Sequence, residues 1–145
     1  MINALTIDVE DYFQVSNFKN FIPVNNWNNF QLRAEKNTSI ILEILSQFNV
    51  KATFFILGWV AQKVPGLIKI IAQEGHEIGC HGFSHQLIFE QNPTQFKDDI
   101  HRAKELLENI SGNEVCGYRA PSYSVVSKTL WALEILLKEG FKYDF

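Results

Sequence analysis

Short apolar runs that stop abruptly at acidic, histidine or glycine residues alternate along this chain with longer stretches whose apolar residues recur every three or four positions. Ala4 to Val9, Lys51 to Gly58, His76 to His81, Val115 to Tyr118 and Phe141 to Phe145 read as strands. Thr38 to Phe48 carries Ile40, Ile41, Ile44, Leu45 and Phe48 at helical spacing behind capping candidates at Asn37 to Ser39. Pro65 opens a second helix that Gly75 ends, Thr94 to Ile110 is a third stopped by Gly112, and Leu130 to Leu137 a fourth closed by Gly140. Phe13 to Phe30, aromatic and asparagine-rich without a period, reads as an irregular loop. Strands separated by helices of that length are joined by crossovers, not hairpins, so the expectation is an α/β protein with parallel strands, as a layer or a barrel. A chain of 145 residues, 46% of them hydrophobic, buries one core and not two, so residues 1–145 are expected to form one unit.

In parallel sheets the working residues gather at the carboxyl ends of the strands. Asp8, His81 and Arg119 each fall there, on three different strands. His81 and His85 are four residues apart, which on a helical turn brings both imidazoles to one side and suits a shared metal ion. A carboxylate from Asp8, Glu10 or Asp11 completes a three-ligand centre with a position open to water and substrate, and Arg119 is placed to orient a carboxylate. A net charge of −3 without clustered Lys or Arg argues against a nucleic-acid partner. Two cysteines, Cys80 and Cys116, form no spacing framework and fit a reducing cytoplasm, with Cys80 turned away from its neighbour His81 into the core. Neither a signal peptide nor a membrane-spanning run is expected. His76 and His101 read as packing or surface residues.

Several segments together resemble the polysaccharide deacetylases with a NodB homology domain, carbohydrate esterase family four. Thr6-Ile7-Asp8-Val9-Glu10-Asp11 is similar to the first motif of that family, Lys51 to Phe55 to its second strand, and Gly75 to His85 to its metal motif. Tyr118-Arg119-Ala120-Pro121 is similar to the third motif, and Gly140 to Asp144 to the strand that carries the fourth. The variant Asp-Val-Glu-Asp-Tyr-Phe, followed by Gln14-Val15-Ser16, resembles most the subgroup associated with exosortase and exopolysaccharide gene clusters.

The resemblance implies a partial, distorted (β/α) barrel and hydrolysis of N-acetyl groups on GlcNAc-type units of a polysaccharide or its lipid-linked precursor, in the bacterial cytoplasm near the inner face of the membrane. It implies Asp8 as general base oriented by Arg119, His81 and His85 as ligands of a divalent metal, for which zinc suits the donor set, and Asp11 or Glu10 as third ligand, with Asp11 slightly preferred. Ser122 would supply an oxyanion-binding N–H after Pro121, and Tyr123 the aromatic wall of the substrate groove. The histidine acid of the family is expected beyond Phe145, in a portion this chain does not include. Two other readings are an allantoinase-like amidohydrolase, against which the retained Asp8 speaks, and a non-catalytic carbohydrate-binding relative.

Overall fold

The computed structural model describes residues 3–145. Five strands, β1 (Thr6–Val9), β2 (Thr53–Ile56), β3 (Glu77–Cys80), β4 (Gly117–Tyr118) and β5 (Tyr143–Asp144), form one all-parallel sheet in the order of the sequence. Between them run α1 (Ala34–Gln47), α2 (Gly58–Lys63), α3 (Pro65–Gln73), α4 (Pro93–Ser111) and α5 (Trp131–Lys138). Strand order that never reverses means every crossover returns on the same side, and the helices accordingly pack on one another, α1 on α3, α3 on α4, α4 on α5. This is the winding of a (β/α) barrel and not of a doubly wound sheet, in which the order switches direction.

Alternation along the strands sorts side chains between the two faces. Phe54, Ile56, Ile78, Cys80 and Tyr118 are buried against the helices, where Leu67, Ile71, Phe96, Ile100 and Leu107 meet them. The opposite face carries Asp8, Phe55 and Gly79 in register. Phe55 lies flat over Gly79, where a Cβ would come within 2.5 Å of the ring, so only glycine lets β3 approach there. β1 is an edge strand whose only fully buried residue is Val9.

Other sequence expectations shift at their boundaries. α1 begins at Ala34, four residues before the predicted start at Thr38, because the cap comes from far along the chain: the Asp11 carboxylate accepts the backbone N–H of Arg33 and Ala34. α2 was not expected, since Lys51 to Gly58 reads as continuous strand; a six-residue helix is too short to show a period. Gly112 ends α4 in the left-handed conformation, as its position predicts. The aperiodic segment 13–30 folds into short 3-10 turns around an aromatic cluster in which Phe13 touches Trp27, Phe30 and Trp59. His76 is buried and accepts the Ala52 N–H, while exposed His101 pairs with Glu139. No helix among the described residues is long and apolar enough to cross a membrane.

Candidate metal centre

β1 delivers its acids in alternation. The chain stays extended through Asp11, so Glu10 shares the face of Asp8 and Asp11 points the other way, toward the start of α1. Asp11 is buried and its two oxygens take the backbone N–H groups of Tyr12, Arg33 and Ala34. The structure therefore reverses the preference for Asp11 over Glu10: Asp11 is a structural cap, and the carboxylate beside the histidines is that of Glu10. One ligand atom each from Glu10, His81 and His85 lie within 4.8 Å of one another.

The two histidines do not share a helical turn. His81 follows β3 directly, and the loop after it reverses through Gly82 at φ +76° and His85 at φ +53°. Two neighbouring elements hold that loop. Gly82 and Phe83 carbonyls accept the first N–H groups of α2, at Gly58 and Trp59. Asp99 of α4 accepts the Phe83 N–H at 2.8 Å and the Ser84 hydroxyl at 3.2 Å, and a Cβ on Gly82 would press against that carboxylate at 2.9 Å. Asp99 has no motif signal in the sequence; it sits in an ordinary amphipathic helix, and only the packing of α4 under the loop shows its work. The rings of His81 and His85 end 5.1 Å apart, edge to face.

Each imidazole is prepared differently. A carbonyl only accepts, so the 2.8 Å contact of His81 Nδ1 with the Arg119 carbonyl places the proton on Nδ1 and frees the lone pair of Nε2. His85 Nε2 approaches Glu10 Oε2 to 3.0 Å, yet that oxygen is buried without a hydrogen-bond partner, as is His85 Nδ1. A buried carboxylate oxygen without a hydrogen-bond partner, 3.0 Å from an imidazole nitrogen, fits a cation shared by the two.

Asp8 stands beside this cluster, held by Arg119, whose Nη1 donates to Asp8 Oδ1 at 2.5 Å and whose Nη2 donates to Thr6 Oγ1 at 2.6 Å. The guanidinium lies 4.2 Å from the Phe55 ring and 4.6 Å from that of Phe145, against two rings whose centroids are themselves 6.1 Å apart. Neither phenylalanine is a site candidate from the sequence, because their rings reach Arg119 only across the sheet. Asp8, Glu10, His81, His85, Arg119, Ser122 and Tyr123 line one open cleft of about 380 Å3. Ser122 and Tyr123 both take positive φ, at 49° and 54°, which turns them toward the cleft side of the loop, while Pro121 is buried in the turn and does not line it. Cys80 is buried, and burial pushes its thiol up to about 12, as suits a core residue and not a ligand.

Burial, aided by the charge of Asp8, raises the Glu10 carboxyl to about 7, and burial, aided by His81, lowers His85 to about 4. His81 is also lowered, chiefly by burial. In the cation-free protein the raised Glu10 value favours its protonated form, a stabilisation complete below about 4.5 and lost as pH rises through about 7. A cation must displace that proton, whereas His85 is already neutral above about 4. Zinc affinity is therefore expected to fall about tenfold per pH unit between pH 7 and 5 and to level off above 7. Competition against a chromophoric chelator measures this; affinity that stays flat from pH 5 to 7 removes Glu10 from the ligand set.

A parallel α/β sheet with two imidazoles, a buried carboxylate and an arginine-held acid at its carboxyl edge defines a candidate single-metal centre. The chain belongs to the polysaccharide deacetylase family, whose profile matches residues 26–142. The matched span starts after β1, so Asp8 and Glu10 lie outside it, and it is the geometry that brings them beside His81 and His85. The chain is 40% identical over 98 residues to a peptidoglycan-N-acetylglucosamine deacetylase of Bacillus cereus, covering 67% of this chain and 36% of that protein. It is 33% identical over 104 residues to a peptidoglycan deacetylase of Helicobacter pylori, covering 72% and 34%. It spans about a third of the length of these curated relatives. The crystal structure of a carbohydrate esterase family four pseudoenzyme from Bacillus anthracis superposes with a TM-score of 0.76 at 20% identity, over 98% of this chain and 42% of that one, and shares the fold.

Proposed function

We propose that this chain carries the metal centre of a hydrolase that removes N-acetyl groups from GlcNAc-type units of a polysaccharide or its lipid-linked precursor. The observation that carries the proposal is the convergence of Glu10, His81 and His85 in one cleft with an Asp8 that Arg119 holds in place. The names of the Bacillus cereus and Helicobacter pylori relatives support the substrate class. Glu10, His81 and His85 would hold the cation, and two imidazoles with one carboxylate suit zinc. When bound, the cation supplies Lewis acidity toward an amide carbonyl and lowers the pKa of water. Asp8 accepts the proton of the attacking water, and its ion pair with Arg119 keeps the carboxylate aimed into the cleft. Tyr123, 91% exposed at the cleft edge, offers a ring face to a sugar, and the Ser122 N–H is the candidate donor to the oxyanion. Two free cysteines, one of them buried, fit work in a reducing compartment, at the cytoplasmic face of the membrane where lipid-linked glycans are built.

Acetate release from a β-1,4-linked GlcNAc tetramer, assayed on this chain and on any longer natural form that contains it, tests the proposal. Zinc-dependent release is expected, with Asp8→Asn lowering turnover by about 100-fold or more while the zinc stays bound. Release that survives chelation overturns the metal role. Tetramer that binds and is never cleaved in either form favours a non-catalytic relative, a reading to which the Bacillus anthracis pseudoenzyme lends its fold.

A further inference from the structure

The main chain of Arg119 is fixed on both sides, its N–H donating to the Cys80 carbonyl at 2.9 Å and its carbonyl accepting from His81 Nδ1 at 2.8 Å. The side chain has no such frame of its own, because several flexible torsions separate the backbone from the guanidinium and freezing them costs conformational entropy. The Asp8 carboxylate is 35% exposed, and a single charged contact open to water holds two side chains weakly. One arm of Arg119 on Asp8 therefore does not by itself keep that acid aimed into the cleft.

The second arm is held as well. Nη2 donates to Thr6 Oγ1 at 2.6 Å, and Thr6 stands two residues before Asp8 on β1. Side chains alternate along a strand, so Thr6 and Asp8 share a face, and both line the cleft. The pairing of β1 with β2 sets Asp8 opposite Phe55, whose ring lies 4.2 Å from the guanidinium. A threonine has a restricted χ1, so the direction of its hydroxyl is set by the strand and not by the arginine. Two acceptors on one strand, with two rings against the guanidinium, leave its plane one orientation. Thr6 does not belong to the group that gathers for the cation.

Resting on the deacetylase reading, we propose that Thr6 is a positioning residue for the reaction: its hydroxyl anchors the second arm of Arg119, so that the first arm presents Asp8 to the water it deprotonates. The effect reaches the chemistry through Arg119, and Thr6 itself touches neither the cation nor the reacting atoms. One face of β1 then carries in succession an anchor at Thr6, a base at Asp8 and a ligand at Glu10.

Thr6→Val and Thr6→Ser separate this role from packing, because valine keeps the β-branched shape that suits a strand and loses the acceptor, while serine keeps the acceptor. Both variants are expected to fold and to load zinc as the parent does. In heteronuclear NMR of the zinc-loaded protein, the Nη1 and Nη2 protons of Arg119 should give separate signals in the parent and in Thr6→Ser. Thr6→Val, with its guanidinium free to rotate, should give one averaged signal. Acetate release, on this chain and on any longer natural form that contains it, should show kcat about tenfold lower in Thr6→Val at a KM within about twofold of the parent, with recovery in Thr6→Ser. Separate guanidinium signals in Thr6→Val, or an unchanged kcat, overturn the proposal. A raised KM at constant kcat overturns it too, since Thr6 then touches substrate. A parent that loads zinc, keeps the separate signals and releases no acetate overturns the deacetylase reading, and the role in that reaction with it, while the anchor itself stands.

Discussion

Alanine at His81 or His85 is expected to strip the chain of its divalent cation, from about one ion per chain to a trace, with affinity down by at least about 100-fold. Each imidazole is one of only three protein ligands the structure gathers, and no other His, Cys, Asp or Glu among the described residues joins the cluster to take its place. Glu10→Gln belongs with them, since the amide keeps the shape and removes the negative charge that offsets the cation in a buried site. Asp11→Asn does not, because the Asp11 oxygens face the backbone of α1 and not the histidines. Elemental analysis after equilibration with zinc, alongside circular dichroism to show that each variant is folded, separates the four. Full occupancy in Glu10→Gln together with loss in Asp11→Asn would mean that the assignment of the third ligand is inverted. Retention of metal in both histidine variants would place the cation elsewhere.

Asp11→Ala carries the largest expected cost in stability, about 3 kcal/mol, read as a fall in Tm of about 6–12 °C. Its carboxylate is 3% exposed and serves the N–H groups of Tyr12, Arg33 and Ala34, with Arg33 Nε also 3.6 Å from it. Removing it strands the N–H of buried Ala34 at the first turn of α1 and those of Arg33 and Tyr12, the latter in the turn that leaves β1. The same turn positions Phe13 under Trp27 and Trp59, so the loss should show in near-ultraviolet dichroism as loosening of the aromatic cluster. Asp11→Asn keeps one acceptor oxygen and should cost less than half as much. Thermal unfolding of the cation-free proteins measures both; a Tm within about 2 °C of the parent for Asp11→Ala would show that solvent satisfies those donors and that the cap is dispensable.

The contrast between Glu10 and Asp11 marks where sequence reasoning stops. Period-2 alternation puts Glu10 on the face of Asp8 if the strand continues, and Asp11 there if it turns, and residues 8–11 alone do not say which. The answer came from Arg33 and Ala34, more than twenty residues away, whose free N–H groups draw Asp11 to the other side. The histidine pair is a second instance. Spacing was enough to bring His81 and His85 forward, but for a helical reason that does not hold; a loop with two left-handed residues, tied to α2 and to Asp99, does the gathering.

What the amino-acid order determined by itself is the alternation of elements, hence a parallel α/β sheet, and the delivery of Asp8, His81 and Arg119 to the carboxyl ends of three strands. Those follow from local periodicity and from the handedness of crossovers, which a few residues at a time can express. Tertiary structure alone decided that Glu10 joins the histidines, that Asp99 braces their loop, that Phe55 and Phe145 lie against Arg119, and that segment 13–30 walls a cavity. Each of these is a contact between residues distant in the chain, set by which backbone donors and ring faces remain unsatisfied once the sheet and helices have packed, and no local pattern encodes that remainder.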